Sequence, residues 1–582
     1  MRRIPFHRFL SPAVLAAGLL SLAPGAPAAA AAQEPDSARI LAAARSAQHR
    51  FERIRRNHIP WTWDRGGGPC DERVGRFCIW HTDKDFTWTP PPEPEPIVEA
   101  RSALIERLDS AAAVLPGDRW IAGQRVRYLS EAGRHPDAET AASECRTAQP
   151  GWCRALLGFA LHAAGHYARA DAAFADALAS MPLGERTRWT DLSALLEPDR
   201  VRGYRRLSPV DREQFEARFW WLADPLHMLP GNDRRTEHFA RHVLDRLQER
   251  ALSVEAISWG ADLRELLLRY GWPVGWERTR ARMPGLDRGS IISRFAPNSR
   301  SFDPPTRSVE APWEITDGTW DLDEKRARTE YATPYATAFE EVEHQMSVFH
   351  RGDSAIVVTA LRLAPDSTGT HPEFEAALAL ARNEAAAPVV ARVPAHDGAA
   401  VLTLTVAATH GLLSLEAFAA EAKRAARARY GVTLAPLPPH GIAVSDLLLI
   451  SGEEPLPDVL ADAIPRALGS ARIPPGERIG VFWEVYGITE GEEEIGVSVN
   501  LLDENAGWLR RVATRVGVLS APSPRATVRW QEAPDAPDGV HARSLAVELP
   551  ELAPGRYTLR LTISPAGREP LHAGKTIEVT PD

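Results

Sequence analysis

From about residue 346 onward, apolar and polar residues alternate with a period of two. In Arg556 to Ile563, Tyr557, Leu559, Leu561 and Ile563 fall on one side while Arg556, Thr558, Arg560 and Thr562 fall on the other. That is the pattern of a strand with one buried face. Similar runs at 355–363, 374–380, 401–406, 442–450, 479–486 and 497–501, broken by Pro and Gly turns, predict two β-sandwich units over 346–453 and 454–582.

Before residue 186 the spacing is helical. In Leu157 to Tyr167 and on through Ala170, Phe174 and Ala177 to Pro182, the small residues Gly158, Ala170 and Ala177 allow two helices to approach. Leu157, Leu161 and Phe174 fill the space between them, and Pro182 ends the second helix. This resembles a tetratricopeptide repeat. Tyr128, Gly133 and Ala138 repeat the scheme at a 32-residue offset, so 98–185 is predicted to be tetratricopeptide-like helical hairpins. Residues 33–97 open with a short helical pattern (Ile40, Ala43, Phe51, Ile54), pass into a loop-rich stretch, and end in a stiff linker at Pro90–Pro96. In 186–300, Ser208-Pro209-Val210-Asp211 starts a helix through Phe215, Phe219, Trp220 and Leu222 that Asp224-Pro225 halts. A second helix is expected over 232–250, and Leu266-Leu267-Leu268 looks like a strand. Residues 301–345 read as an extended linker. The predicted class is multidomain α+β.

At 582 residues the chain exceeds one core, and roughly three to five domains are expected. A formal charge of −9 argues against a nucleic-acid partner. Residues 1–32 read as a secretory signal, with Arg2, Arg3 and Arg8 before an apolar core from Phe9 to Leu22 and small residues at Ala28–Ala32. No later segment approaches the roughly 18 apolar residues of a spanning helix, so no transmembrane segment is expected. Export to the periplasm or beyond agrees with the cysteines, two pairs with the same C-x7-C spacing. Of three connectivities, the local Cys70–Cys78 and Cys145–Cys153 is favoured, each bridge contributing about 2–3 kcal/mol. The spacing is wrong for zinc.

The segment Ser258-Trp259-Gly260-Ala261-Asp262 resembles the signature of the bacterial GWxTD-domain family, with serine and alanine in place of its glycine and threonine. The context is similar too. Tyr204-Arg205-Arg206-Leu207-Ser208-Pro209 leads to Phe219-Trp220 and Asp224-Pro225, then Asn232, Glu237 and Arg241, then Arg264 and Tyr270-Gly271-Trp272-Pro273. Farther on, Val444 to Leu449, Phe482 to Tyr486 and Leu552 to Tyr557 also look like the family. The resemblance implies an exported protein, a central mixed α/β GWxTD-like domain over 186–300, and no catalytic mechanism to transfer.

Trp259, Asp262 and Arg264, with Asp224, Asn232, Glu237 and Arg241, are the candidate ligand-groove residues. The plainer alternative is that Trp259 packs on helices while Asp262 and Arg264 pair or cap a turn. Glu237-His238 and His242, with His227 as a third donor, invite a metal site. Their order departs from H-E-x2-H, and Arg235 and Arg241 would repel a cation, so a solvated helix face is expected. His344, beside Glu340, Glu341 and Glu343, reads as a charged helix surface. Trp61, Trp63, Trp80 and Trp88 either stack on sugars or supply a small core. No metal or cofactor is called for. The leading expectation is a non-enzymatic, exported protein-interaction or envelope-assembly protein, binding a protein or peptide through exposed repeat residues such as Arg125, Tyr128, Arg154 and Leu161. The alternatives are a cell-envelope hydrolase or metal-dependent enzyme in the central domain, or a glycan-binding protein.

Overall fold

Helices fill the chain as far as Tyr270 and strands dominate from Ala338 onward, giving a mixed α+β architecture with an N-terminal helical region and a C-terminal strand-rich one. The computed structural model describes residues 33–62, 70–79, 81, 89–279, 291–316, 318–366, 368–437, 441–488, 494–503, 526–536, 539–549 and 552–581. The expected signal segment and Trp63, Trp80 and Trp88 lie outside them.

The helical region opens with α1 (Gln33–His58), α2 (Glu95–Val114), α3 (Arg119–Glu131) and α4 (His135–Ser143). Next come α5 (Pro150–Ala163), α6 (Tyr167–Ser180), α7 (Leu183–Thr190) and α8 (Val201–Tyr204). It closes with α9 (Pro209–Ala223), α10 (Asp233–Gln248) and α11 (Ala261–Tyr270). Gly133 and Gly165 end α3 and α5 in matching left-handed turns, with φ of +69° and +79°. There the amides of Arg134 and His166 reach back to the carbonyls of Leu129 and Leu161. A Cβ at Gly158 would lie 2.8 Å from the Phe174 ring, so α5 and α6 approach as closely as the small residues predicted. A disulfide joins Cys145 to Cys153, tying the end of α4 to the first turn of α5.

Several sequence expectations change. The helical array begins at α1, not at residue 98. α1 is 26 residues long and packs on α2, but it buries Gln48, Glu52 and Arg55 beside Ala44 and Phe51, which conceals its apolar face. The proline run leads straight into α2, with Pro94 at its N-cap and a proline in its first turn. Leu266–Leu268 are helical; Leu263, Leu266, Leu267 and Tyr270 form the buried stripe of α11. Residues 301–345 are not a linker, because Phe302, Val309, Ile315, Leu322 and Tyr331 are buried one by one between the helical and strand-rich regions.

In the first strand-rich unit, a five-stranded sheet runs in the order Val389–Pro394, Glu375–Ala381, Thr409–Ala419, Arg424–Leu434, Ala338–Glu341. It shares one core with a three-stranded sheet of Ala399–Ala407, Ser354–Arg362 and Glu343–Arg351. His344 therefore lies on a strand, not on a helix. The second unit joins Arg478–Tyr486, Leu448–Ser451, Ala443–Val444 and Val540–Glu548 in one sheet. Its other sheet holds Arg472–Ile473, Leu571–Val579, Gly555–Ser564, Ile495–Asp503 and Ala526–Glu532. Because Leu448–Ser451 pairs with Arg478–Tyr486, the units divide before residue 443, not at 453. Phe349 and Val358 of the first unit meet Leu448, Ile450 and Phe482 of the second in a shared cluster.

The five-stranded sheet is buried on both faces. In Thr409–Ala419, Leu413, Leu415 and Ala417 enter the unit's core, while Leu412 and Phe418 pack against the helical region. Between those two, Glu416 is fully buried. Its carboxylate accepts from the backbone amides of His227 (2.9 Å) and Met228 (2.8 Å) and from Ser414 Oγ (2.6 Å). Arg427 and Arg429 point the same way and donate to the carbonyls of Leu222, in the last turn of α9, and of Asp224 and Pro225 just after it. Truncating Glu416 would strand two backbone donors and a guanidinium away from water. Glu416→Ala is expected to lower unfolding free energy by about 3–5 kcal/mol in urea titration; a loss near zero would mean that the seam is wet.

Candidate functional site

α10 is the element around which the helical region is assembled. Thirteen of its 16 residues are buried, so this charged helix is internal. Asn232 caps it by accepting from the Arg235 amide, and Phe239, Val243 and Leu247 join the same core as α2 to α6. Every helix pair sends a polar tie to it or to the turn that follows. Gln48 of α1 exchanges two hydrogen bonds with the Leu252 backbone. From α3, Gln124 donates to the Leu247 carbonyl at 2.9 Å and Trp120 Nε1 to the Arg250 carbonyl at 3.0 Å. His162 of α5 meets Thr236 and Glu237, and Asp171 of α6 accepts from the Asn232 amide. The ranges 98–185 and 186–300 therefore share one core and are not separate units.

This seating removes two of the expected partner contacts. Tyr128 is fully buried, its hydroxyl donating to Glu52 at 2.7 Å, and Leu161 is buried as well. Arg125 and Arg154 are held by Asp109 and Asp176, each at 2.5 Å.

The Trp259 corner is a clamp. Trp259 Nε1 donates to Asp245 Oδ1 and Arg264 Nε to Asp245 Oδ2, both at 2.8 Å, so one carboxylate of α10 fixes both residues. Asp262 turns the other way. The Arg76 guanidinium grips it from the Glu72–Ile79 hairpin (Nη2 to Oδ1, 2.9 Å) and holds its carboxyl down at about 2. Gly75 lets the hairpin approach, since a Cβ there would sit 2.4 Å from Asp262 Cβ. Cys70, just before this hairpin, and Cys78 on it are thiols within hydrogen-bond reach of one another, not joined as the expected bridge.

The remaining candidates lie in the seam between α10 and the strand-rich region. Asp224 accepts from His227, Glu237 binds His162 and Arg241, and Arg241 also donates to the carbonyls of Leu268 and Glu330. Asp233, at the start of α10, accepts from the Tyr331 hydroxyl at 2.8 Å. Burial, reinforced by the Asp224 carboxylate, raises Asp233 to about 8. His238 and His242 are buried, not solvated. His238 Nε2 bonds the Trp189 carbonyl at 3.0 Å, and His242 stacks on the Trp189 ring. Burial holds both imidazoles neutral, with His242 lowered to about 3, and no group of potential metal ligands occurs among the described residues. Trp61 is half exposed beneath the Arg278 guanidinium.

On its other side α10 borders a groove of about 570 Å³ that α3, α7 and α11 complete. Trp120, Trp152, Trp189, His242, Leu247 and Leu268 form its buried lining. Three lining arginines are paired: Arg246 with Glu185, Arg264 with Asp245 and Glu249, and Arg328 with Glu265. Asp191, the remaining acid there, accepts from the amide and hydroxyl of Ser193. Arg119, Arg188, Arg205 and Arg250 make no ion pair with any described residue and are exposed. Of the sequence candidates, Arg264 from the expected ligand groove and His242 from the expected histidine pair line this groove. Of the four unpaired arginines, Arg119 and Arg188 lie on α3 and α7, Arg205 follows α8 and Arg250 follows α10, so no local motif announces them.

No family profile matches the chain, and no curated protein does. Among solved structures, red sea bream transglutaminase shares 13% identity over 41% of this chain and 32% of its own, at a TM-score of 0.13. The chain spans about a third of that protein's length, and a likeness this slight carries no argument.

The raised Asp233 sets a pH dependence. An acid whose folded value exceeds its unfolded value contributes stability fully present below about pH 4 and lost as pH climbs through about 8. Asp233→Asn keeps the shape and cannot ionise. Its unfolding free energy relative to the parent should rise by about 2 kcal/mol or more between about pH 5 and pH 9; a constant difference would mean that Asp233 titrates like a solvated carboxyl.

Proposed function

We propose that the chain is an exported, non-enzymatic interaction or assembly protein of the GWxTD type. Its helix pairs are tetratricopeptide-like, and its two strand-rich units are β-sandwiches serving as rigid spacers or adhesion modules. The partner is a protein or peptide. It docks beside α10, because α10 already covers the face of α3 and α5 that a repeat array would otherwise offer.

One observation carries this reading: the groove combines a buried aromatic lining with exposed, unpaired guanidinium groups. Interfaces concentrate binding energy in just such aromatic and arginine residues. The seam serves instead to hold α10 in register, through Asp233 on the Tyr331 hydroxyl, Glu237 on His162, and Arg241 on the carbonyls of Leu268 and Glu330. Export is supported by the Cys145–Cys153 bridge, which persists in oxidising compartments.

A photo-crosslinking residue placed at Arg188 or at Arg250 of the full chain, expressed in the producing cell, tests the location. Both positions should yield the same discrete adduct, and a probe at exposed Val210 on α9 should not. Adducts that are absent from the groove positions, or identical at all three, would contradict the proposal.

A further inference from the structure

The charge bookkeeping of the groove is lopsided. Each acidic side chain in its lining is already engaged, by Arg246, Arg264, Arg328 or Ser193, while four guanidinium groups remain without a carboxylate among the described residues. Clustered like charges repel, and they are tolerated here because Arg119, Arg188, Arg205 and Arg250 are exposed. A second feature is independent of that charge. His242 is a buried lining residue whose Nε2 has no hydrogen-bond partner among the described residues, and an unsatisfied buried polar atom calls for a group that completes it.

Among biological polymers, three classes carry dense negative charge: nucleic acids, acidic glycans and acidic peptides. A long polyanion meets the field of a chain whose net charge is −9, so attraction is confined to the groove itself. The lining also has an apolar part, in Leu247, Leu268 and the tryptophan rings, that a uniformly charged polymer leaves unused. A volume of about 570 Å³ holds a few side chains and not a domain.

We infer that this groove is a receptor for a short, extended peptide segment that alternates acidic and apolar side chains. Its carboxylates pair with Arg119, Arg188, Arg205 and Arg250, its apolar side chains lie on Trp120, Trp152 and Trp189, and a backbone polar group reaches His242 Nε2. The inference rests on the proposed interaction role and names the chemistry of the partner.

Fluorescence anisotropy of a labelled glutamate–leucine alternating peptide against the mature chain tests it. The peptide should bind, weaken as salt is raised, and bind about tenfold or more weakly to the double variant Arg188→Glu, Arg250→Glu. Because both side chains are exposed and unpaired, the melting temperature of that variant should match the parent, which separates lost binding from lost folding. Equal affinity for parent and variant, or tighter binding of a heparin oligosaccharide or single-stranded DNA than of the peptide, would overturn the inference. If the peptide fails to bind while the groove crosslinks persist, the acidic-segment inference falls and the interaction role stands.

Discussion

A charged helix in the interior is the constraint on which the rest of this structure depends. α10 presents Asp233, Arg234, Arg241 and Asp245 to surroundings that exclude water, with Glu237 partly buried beside them, and each needs a partner placed within hydrogen-bond reach. Those partners come from far along the chain: Tyr331, Asp303, His162, the carbonyls of Leu268 and Glu330, and Trp259. Apolar burial of Phe239, Val243 and Leu247 supplies the non-directional attraction, and the polar partners set where the helix stops sliding and turning.

The same logic extends to the strand-rich region. A sheet normally shows one face to a core and the other to water, but the five-stranded sheet here is covered twice. Its second face carries Glu416, Arg427 and Arg429, whose targets are backbone groups between α9 and α10. Side chain to backbone contacts of this kind depend on the path of the chain more than on the identity of the residues they meet. Between the strand-rich units, Gln345 bonds the backbone of Leu449 in both directions, and Lys575 donates to the Met346 carbonyl. The function proposed for the groove needs that rigidity, since scattered arginines form one rim only if α3, α7, α8 and α10 keep their places.

Much of this could be read from the sequence wherever a single face was apolar. The strands at 355–363, 401–406, 479–486 and 556–563 fall within a residue or two of their observed positions because alternation there is clean. Arg424–Leu434 was missed because Arg427 and Arg429 point into a seam and mimic a polar face. α1 was underestimated for the same reason, through Gln48, Glu52 and Arg55. The GWxTD-like corner marked Trp259 and Arg264 but not Asp245, the carboxylate that holds them, which lies fourteen residues earlier than Trp259 inside a helix with no distinguishing local pattern. Tyr128 and Leu161 looked available because a repeat array read alone has an open face, and nothing local says that a later helix fills it.

The central claim is that α10 is an integral part of the helical array and not a removable ligand of it. Native-state hydrogen exchange of the α10 amides measures this directly, because it reports the free energy at which each segment opens. The amides from Phe239 to Gln248 should exchange only with global unfolding, at the same free energy as those in the middle of α3 and α5. If α10 instead opens on its own, several kcal/mol below α3 and α5, the helical array has a free face that α10 merely covers, and the claim fails.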